Sequence, residues 1–356
     1  MSEGFAPGHP RDPAVLAEHD QIGRMSQPRV LLTFGDTARR NYYGEGPLAA
    51  LRAIAEVRLH TGDLPLTGDA LVEAARGCQV IISDRQAAAP ATLFRQLPGL
   101  AVFQRCAVDV RNVDLAAASG AGVLVMHARA GYANAVAEWV LGAMIDLARH
   151  MTDSVMAYRS GGRPPVRLGG ELRGATLGVI GYGVIGQRLA AIGDCLGMRV
   201  LVADPFATVP SPFTAVSLEQ MLPQADHLVC LAPARPENDN LMDARRFAAM
   251  KPGAFFINAS RGELVDEAAL LRALDSGHLG GCALDVGRAP DQMPSQVLTV
   301  HPRVIATPHV AGLTPAAVEF QSRETVDQLA DLLAGRMPLG ALNAEQATRL
   351  HLLLAD

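Results

Sequence analysis

The sequence is poor in aromatic residues, which make up 4% of its 356 positions and include a single tryptophan. So few rings leave no basis for the stacking platforms that hold single-stranded nucleic acid. Positive charge is also scarce: 31 Lys and Arg stand against 36 Asp and Glu, and the formal net charge is −5. That balance gives no electrostatic case for nucleic acid or an anionic membrane as a partner. Five cysteines, Cys78, Cys106, Cys195, Cys230 and Cys282, are scattered with no Cys-x-x-Cys pair. They read as reduced core residues of a cytoplasmic protein, with no disulfide framework and no metal site. No apolar run approaches the roughly 18 residues of a membrane span, and the N-terminus has no basic segment leading into an apolar one. The longest candidate, Ala135 to Ala148, carries Glu138 and Asp146 and reads as an amphipathic helix.

What is present describes a globular chain of about two domains, with 49% hydrophobic and 19% charged residues. Residues 1–28, rich in Gly, Pro, His and charge, read as an irregular N-terminal arm. Beyond them, short apolar runs alternate with helical stretches. Strands are expected at Val30 to Phe34, Val57 to Leu59, Val80 to Ile82, Leu100 to Phe103 and Val123 to Val125, and a long helix at Asn134 to His150 or beyond. A second series follows at Thr176 to Ile180, Arg199 to Ala203, His227 to Leu231, Ala254 to Asn258, Gly281 to Leu284 and Val304 to Thr307. Between the last strands a helix from Asp266 to Leu274 is bracketed by Asp266 as N-cap and Gly277 as C′ residue. Helices near Thr314 to Ala334 and Ala344 to Leu354 close the chain. This alternation predicts an α/β protein with two doubly wound parallel-sheet domains.

One stretch organises the second series. The strand Thr176 to Ile180 runs into Gly181-Tyr182-Gly183-Val184-Ile185-Gly186, and a helix begins there. Gly181 permits the tight turn, Gly183 lets backbone approach a pyrophosphate, and Gly186 lets helix pack on strand. The helix start at Val184 and Ile185 offers free N–H groups to an anion. The next strand ends in Asp204, roughly 20 residues on, where a carboxylate accepts hydrogen bonds from a ribose 2′-OH. An anionic Asp204 repels a 2′-phosphate, and Pro205 and Phe206 supply no cation to offset it, so the cofactor expected is NAD.

In open α/β sheets ligands bind beyond the carboxyl ends of the strands. Those ends carry Ala232 and Pro233, Ala259-Ser260-Arg261, Asp285, and Pro308-His309 in the second series, and Gln104 to Asp109 in the first. Hydride transfer to a carbonyl needs a cation to polarise it and a proton donor for the developing alkoxide. Arg261 supplies a planar fork that matches a carboxylate, and His309 a group that titrates near neutrality. Each alone has an ordinary explanation, a surface ion pair or a strand-end hydrogen bond. Together, on a sheet that carries the glycine fingerprint, they favour chemistry.

These residues resemble the NAD-dependent D-2-hydroxyacid dehydrogenases. The likeness runs from about Val30 to Thr314 and is carried by Leu172 to Gly178, Met250 to Ala254, Asn258 to Asp266, Ala283 to Val286, Thr307 to Gly312 and Asn134 to Glu138. It implies a flavodoxin-like substrate domain over 29–130 and 315–356, a Rossmann NAD domain over 131–314, a cleft between them, and a homodimer. It implies that Arg261 binds the substrate carboxylate and carbonyl, that His309 is the acid/base, and that Val108 and Asp109 lie on the substrate loop. Asp285 then faces the nicotinamide amide, and Gly181, Gly183, Val184, Ile185, Gly186, Asp204, Ala232, Pro233, Ala259, Ser260, Arg261, His309 and Gly312 complete the cofactor site. No metal is implied.

Two departures stand out. The family places a glutamate, which pairs with the histidine, shortly after its Leu-Asp-Val; here that position falls on Ala289 or Pro290, leaving Asp291 or Asp109 as replacements. Unpartnered, His309 would titrate near its reference value of about 6.5, so oxo-acid reduction would weaken as pH rises through neutrality. The substrate loop, which in the family prefers small residues and glycine, here reads Ala107-Val108-Asp109-Val110-Arg111. An Asp109 pointing into the cleft would oppose a carboxylate or bind a cationic or polyhydroxy group. The expected activity is hydride exchange between NAD(H) and a D-2-hydroxy or 2-oxo acid. The alternatives are a dehydrogenase with an atypical substrate, as formate dehydrogenases of this fold also lack the glutamate, and an NAD(H)-dependent corepressor-like sensor.

Overall fold

The structure, a computed structural model, describes residues 27–129, 131–289 and 292–353. The expected N-terminal arm lies outside the described residues except for Gln27 and Pro28, and Pro290 and Asp291 lie outside them too. The chain divides into two compact units, one formed by residues up to 129 with 319–356 and the other by 130–318.

The first unit runs β1 (Arg29–Leu32), α1 (Asp36–Tyr42), α2 (Glu45–Ile54), β2 (Glu56–Leu59), α3 (Gly68–Ala75), β3 (Val80–Ser83), α4 (Ala91–Gln96), β4 (Val102–Arg105), α5 (Leu115–Gly120) and β5 (Leu124–His127). Its sheet has the order β2-β1-β3-β4-β5 with every pair parallel, the flavodoxin-like arrangement. Inner strands are apolar on both sides because both faces are covered. Leu31, Ile81, Phe103 and Val125 face one core; Val30, Leu32, Val80, Ile82, Val102 and Leu124 face the other, with Val326 and Leu329.

Two expectations need correction here. The fourth strand begins at Val102 and continues through Gln104 and Arg105, which pair in register with Met126 and His127. These polar residues were expected beyond the strand, yet both are buried. Gln104 donates to Gln328 Oε1 at 3.1 Å, and Arg105 is held by Ser83 Oγ and the carbonyls of Asp84 and Asp109. The tail is also different: Ala344–Gln346 and Thr348–Leu353 are 3-10 turns and not one α-helix. Asn343 pins this segment to the sheet edge, accepting from Val125 N at 2.8 Å and donating to the Val123 carbonyl at 2.9 Å.

The second unit begins with α6 (Ala133–Arg149), which matches the helix expected from Asn134 to His150, and α7 (Met151–Arg159), separated from it by His150 in the left-handed region (φ 54°). It continues β6 (Thr176–Ile180), α8 (Val184–Cys195), β7 (Arg199–Ala203), β8 (Thr214–Ala215), α9 (Leu218–Met221), β9 (His227–Cys230), α10 (Ala244–Ala249), β10 (Phe255–Asn258), α11 (Glu267–Asp275), β11 (Gly281–Leu284), α12 (Gln296–Thr299) and β12 (Val304–Ala306). The last long helix, α13, spans Pro315–Leu333. The sheet order is β12-β11-β10-β9-β6-β7-β8, again parallel throughout. The order reverses between β6 and β9, the switch point at which doubly wound sheets bind ligands. Asp266 caps α11 by accepting from Ala269 N, and Gly277 follows at φ +73°.

All five cysteines are free, and Cys78, Cys230 and Cys282 are buried. Cys195 is exposed, contrary to a core reading, because it ends α8 on the helix's outer side. Among the described residues no helix is long and apolar enough to cross a membrane, and no group of three His, Cys, Asp or Glu could hold a metal ion.

Candidate cofactor and catalytic site

The glycine turn after β6 has the stereochemistry its sequence implies. Gly181 sits at φ +94°, and a Cβ there would stand 2.7 Å from the Ala232 backbone nitrogen. A Cβ on Gly186 would collide with the Gly181 carbonyl oxygen, whereas one on Gly183 would meet nothing within 4 Å. Gly183 therefore leaves open space at the N-cap of α8, a 12-residue helix beginning with Val184 and Ile185. Free main-chain N–H groups beside an unobstructed approach fit a pyrophosphate.

Asp204 follows β7 directly, and its carboxylate also closes the turn, accepting from Tyr182 N at 2.7 Å and Phe206 N at 2.9 Å. A carboxylate oxygen has lone pairs to spare beyond one such bond, so these contacts orient the group without exhausting it. Ala232 and Pro233 follow β9. The Ser260 hydroxyl donates to the Ala232 carbonyl at 2.5 Å, tying the ends of β9 and β10 together.

Arg261 is half-buried and follows the tight turn after β10. Buried Asn258 builds that turn: its amide donates to the Arg261 carbonyl at 2.9 Å and its oxygen accepts from Ser260 N at 3.1 Å. Ala259 lies inside it. Arg288, beyond β11, steadies the segment that follows, donating to the carbonyls of Glu263 (2.7 Å) and Val265 (3.1 Å) and to Asp239 and Asn240. The sequence offered no sign of these positioning roles, since the partners lie up to 49 residues apart.

Asp285 is 2% exposed and lies beneath the turn that carries His309. It accepts from the Thr307 hydroxyl (2.6 Å), Val310 N (2.8 Å) and Ala311 N (2.9 Å). His309 itself has φ 56°, a conformation costly for a non-glycine residue, and its N–H bonds the Thr307 carbonyl at 3.0 Å. Three bonds to one buried carboxylate hold that conformation. Gly312, next along, packs against Tyr132, whose Cβ would be 3.2 Å from a Cβ at position 312.

Val108 and Asp109 lie in the first unit, after β4. Asp109 is ion-paired with Arg111 at 2.9 Å, and its carbonyl accepts from Arg105 Nε at 3.1 Å. Burial pushes the Arg105 guanidinium's pKa down, with Asp109 and Asp84 pulling it back. Of the candidates to replace the glutamate, Asp109 is engaged by Arg111 and Asp291 lies outside the described residues; Ala289, at the glutamate's expected place, has backbone bonds to Met293 and Gln292.

Residues 141–311 match the family model described as D-isomer specific 2-hydroxyacid dehydrogenase, NAD binding domain. A D-3-phosphoglycerate dehydrogenase of Synechocystis is 34% identical over 249 residues, covering 68% of this chain and 45% of the relative. The (S)-sulfolactate dehydrogenase of Chromohalobacter salexigens is 34% identical over 272 residues, 75% of this chain and 88% of the relative. The crystal structure of a Thermus thermophilus protein superposes with a TM-score of 0.80 at 32% identity, covering 88% of this chain and 99% of that one. The chain spans about half the length of the first of the curated phosphoglycerate dehydrogenases it matches. With its glycine turn, its two parallel sheets and this extent of matching sequence, the chain belongs to the D-isomer specific 2-hydroxyacid dehydrogenase family, and its second unit carries that family's NAD-binding domain.

Proposed function

We propose that the protein transfers a hydride between NAD(H) and a D-2-hydroxy acid or its 2-oxo acid. The observation that carries this reading is the support given to Arg261 and His309. Each stands beyond a strand of the sheet that bears the glycine turn, and each is held by a buried polar residue, Asn258 or Asp285. When bound, the nicotinamide supplies or accepts the hydride. Arg261 holds the carboxylate and polarises the 2-oxygen through its guanidinium. His309 donates a proton to the developing alkoxide in reduction and takes it back in oxidation. In this reading residues 29–130 and 315–356 form the substrate domain and 131–314 the NAD domain. Val108 and Asp109 are its substrate-loop residues, with the Asp109 charge met by Arg111.

The relatives named for D-3-phosphoglycerate and (S)-sulfolactate suggest testing acids with a second anionic group beside simple 2-oxo acids. The experiment follows NADH consumption across such a panel. Turnover with at least one acid is expected, and Arg261→Gln and His309→Gln should each lower kcat/KM by about 100-fold or more while the protein still binds NADH. NADH binding with no turnover on any acid would instead favour the sensor reading.

We further infer a homodimer of the cytoplasm, where the five free thiols stay reduced. Met156, Tyr158, Val166 and Leu168 are exposed on α7 and the segment after it, more apolar surface than a solitary chain needs to show there. Light scattering after gel filtration should give twice the chain mass.

A further inference from the structure

The choice of NAD over NADP rests on Asp204 and on the lack of a cation in Pro205-Phe206. The fold supplies a cation from another strand. Arg235 lies on the segment after β9, and β9 and β7 flank β6 in the sheet. Its guanidinium carbon stands 5.9 Å from the centroid of the Phe206 ring, two residues beyond Asp204. Phe206 is itself tied to Asp204, its N–H donating to Oδ1 at 2.9 Å.

Phe206 is 87% exposed, so this ring fills no core. Its one ring contact of note is the arginine, an attraction between a cation and the face of an aromatic group. The segment presenting Arg235 is firmly built. Arg235 N donates to Asn238 Oδ1 at 2.7 Å, and the Asn238 amide donates to the Pro233 carbonyl at 2.8 Å. Arg288 then anchors Asp239 and Asn240 at 2.9 and 2.7 Å. Among the described residues the contact made by the Arg235 guanidinium is this ring, with no carboxylate paired to it.

In dinucleotide folds an acid at this place accepts bonds from the 2′-hydroxyl, and a nearby arginine accommodates a 2′-phosphate. Here the acid is Asp204, and Arg235 reaches the ring of the residue two places beyond it. We infer that the ribose 2′ position is read by two opposed charges, Asp204 and Arg235, so that the site accepts NADP(H) as well as NAD(H), with NAD(H) favoured. The carboxylate's two bonds to main-chain N–H groups temper its repulsion, while a guanidinium fork meets phosphate oxygens in pairs. Both groups are near solvent, so screening keeps the discrimination modest.

The inference rests on the dinucleotide site and not on turnover, so binding is the readout. The full chain is titrated with NADH and with NADPH, following the fluorescence of the reduced nicotinamide. NADPH should bind about tenfold more weakly than NADH. Arg235→Ala should weaken NADPH by about a further tenfold and NADH by less than about threefold, and Arg235→Lys should restore most of the loss. Asp204→Asn should shift the preference the other way. Equal losses for both coenzymes in Arg235→Ala would overturn the inference, since the arginine would then serve the adenine alone. NADPH failing to bind where NADH binds would overturn it too. If neither coenzyme binds, the dinucleotide site itself is refuted and the inference falls with it.

Discussion

Two glycines three residues apart should respond to the same substitution in opposite ways. At Gly183 the backbone has φ −73° and ψ −167°, which any residue adopts, and an added methyl meets nothing within 4 Å. Gly183→Ala therefore leaves folding stability within about 1 kcal/mol, since a weaker N-cap and a stiffer unfolded chain nearly cancel. The methyl does occupy the space through which a pyrophosphate must approach the first N–H groups of α8. Losing one or two hydrogen bonds to a charged group costs about 3 kcal/mol, or roughly 100-fold in NADH affinity. At Gly186 the methyl collides with the Gly181 carbonyl oxygen, a backbone atom that cannot swing aside, and it also stands 3.4 Å from Val179 Cγ1. Overpacking of this kind costs about 3 kcal/mol, which in a unit of this size lowers Tm by about 6–12 °C. Calorimetric titration with NADH and a thermal melt of each variant separate the two effects. Gly183→Ala binding NADH like the parent, or Gly186→Ala melting like it, would refute the assignment of the turn.

Other consequences are as direct. His227 opens β9, is buried, and stacks 5.2 Å from Phe255; burial pushes its pKa down to about 4, with Asp226 opposing. In the unfolded chain it takes a proton near pH 6.5, so its contribution is intact above that pH and is lost as pH falls toward the native value, at a cost of about 3 kcal/mol at most. Urea midpoints between about pH 7 and pH 4.5 should therefore fall less in His227→Leu than in the parent; an equal fall would exclude this residue as the cause. Asp285→Ala strips three hydrogen bonds from the His309 turn, so kcat/KM should drop about 100-fold, well beyond any loss of NADH affinity from its expected place facing the nicotinamide amide. Losses of equal size in kcat/KM and in NADH affinity would show that Asp285 serves the cofactor alone.

The linear chain by itself determined the class of fold and much of the dinucleotide turn. Alternating apolar runs and helical stretches are local patterns, and so are the demands of Gly181, Gly183 and Gly186, the N-cap at Asp266 and the glycine at its far end. The placement of Arg261 and His309 was legible for the same reason, because each follows a strand whose end the pattern marks. Tertiary structure decided what depends on partners remote along the chain. Gln104 could continue a strand into the interior only because Gln328, 224 residues away, meets it. The tail became short turns because Asn343 satisfies the edge of β5 better than a continued helix could. Asp285 lies under the His309 turn, and Arg235 rests on Phe206, through the juxtaposition of separate strand ends. Hydrogen bonds and charge contacts across such separations are created by the fold, so no window of sequence contains them.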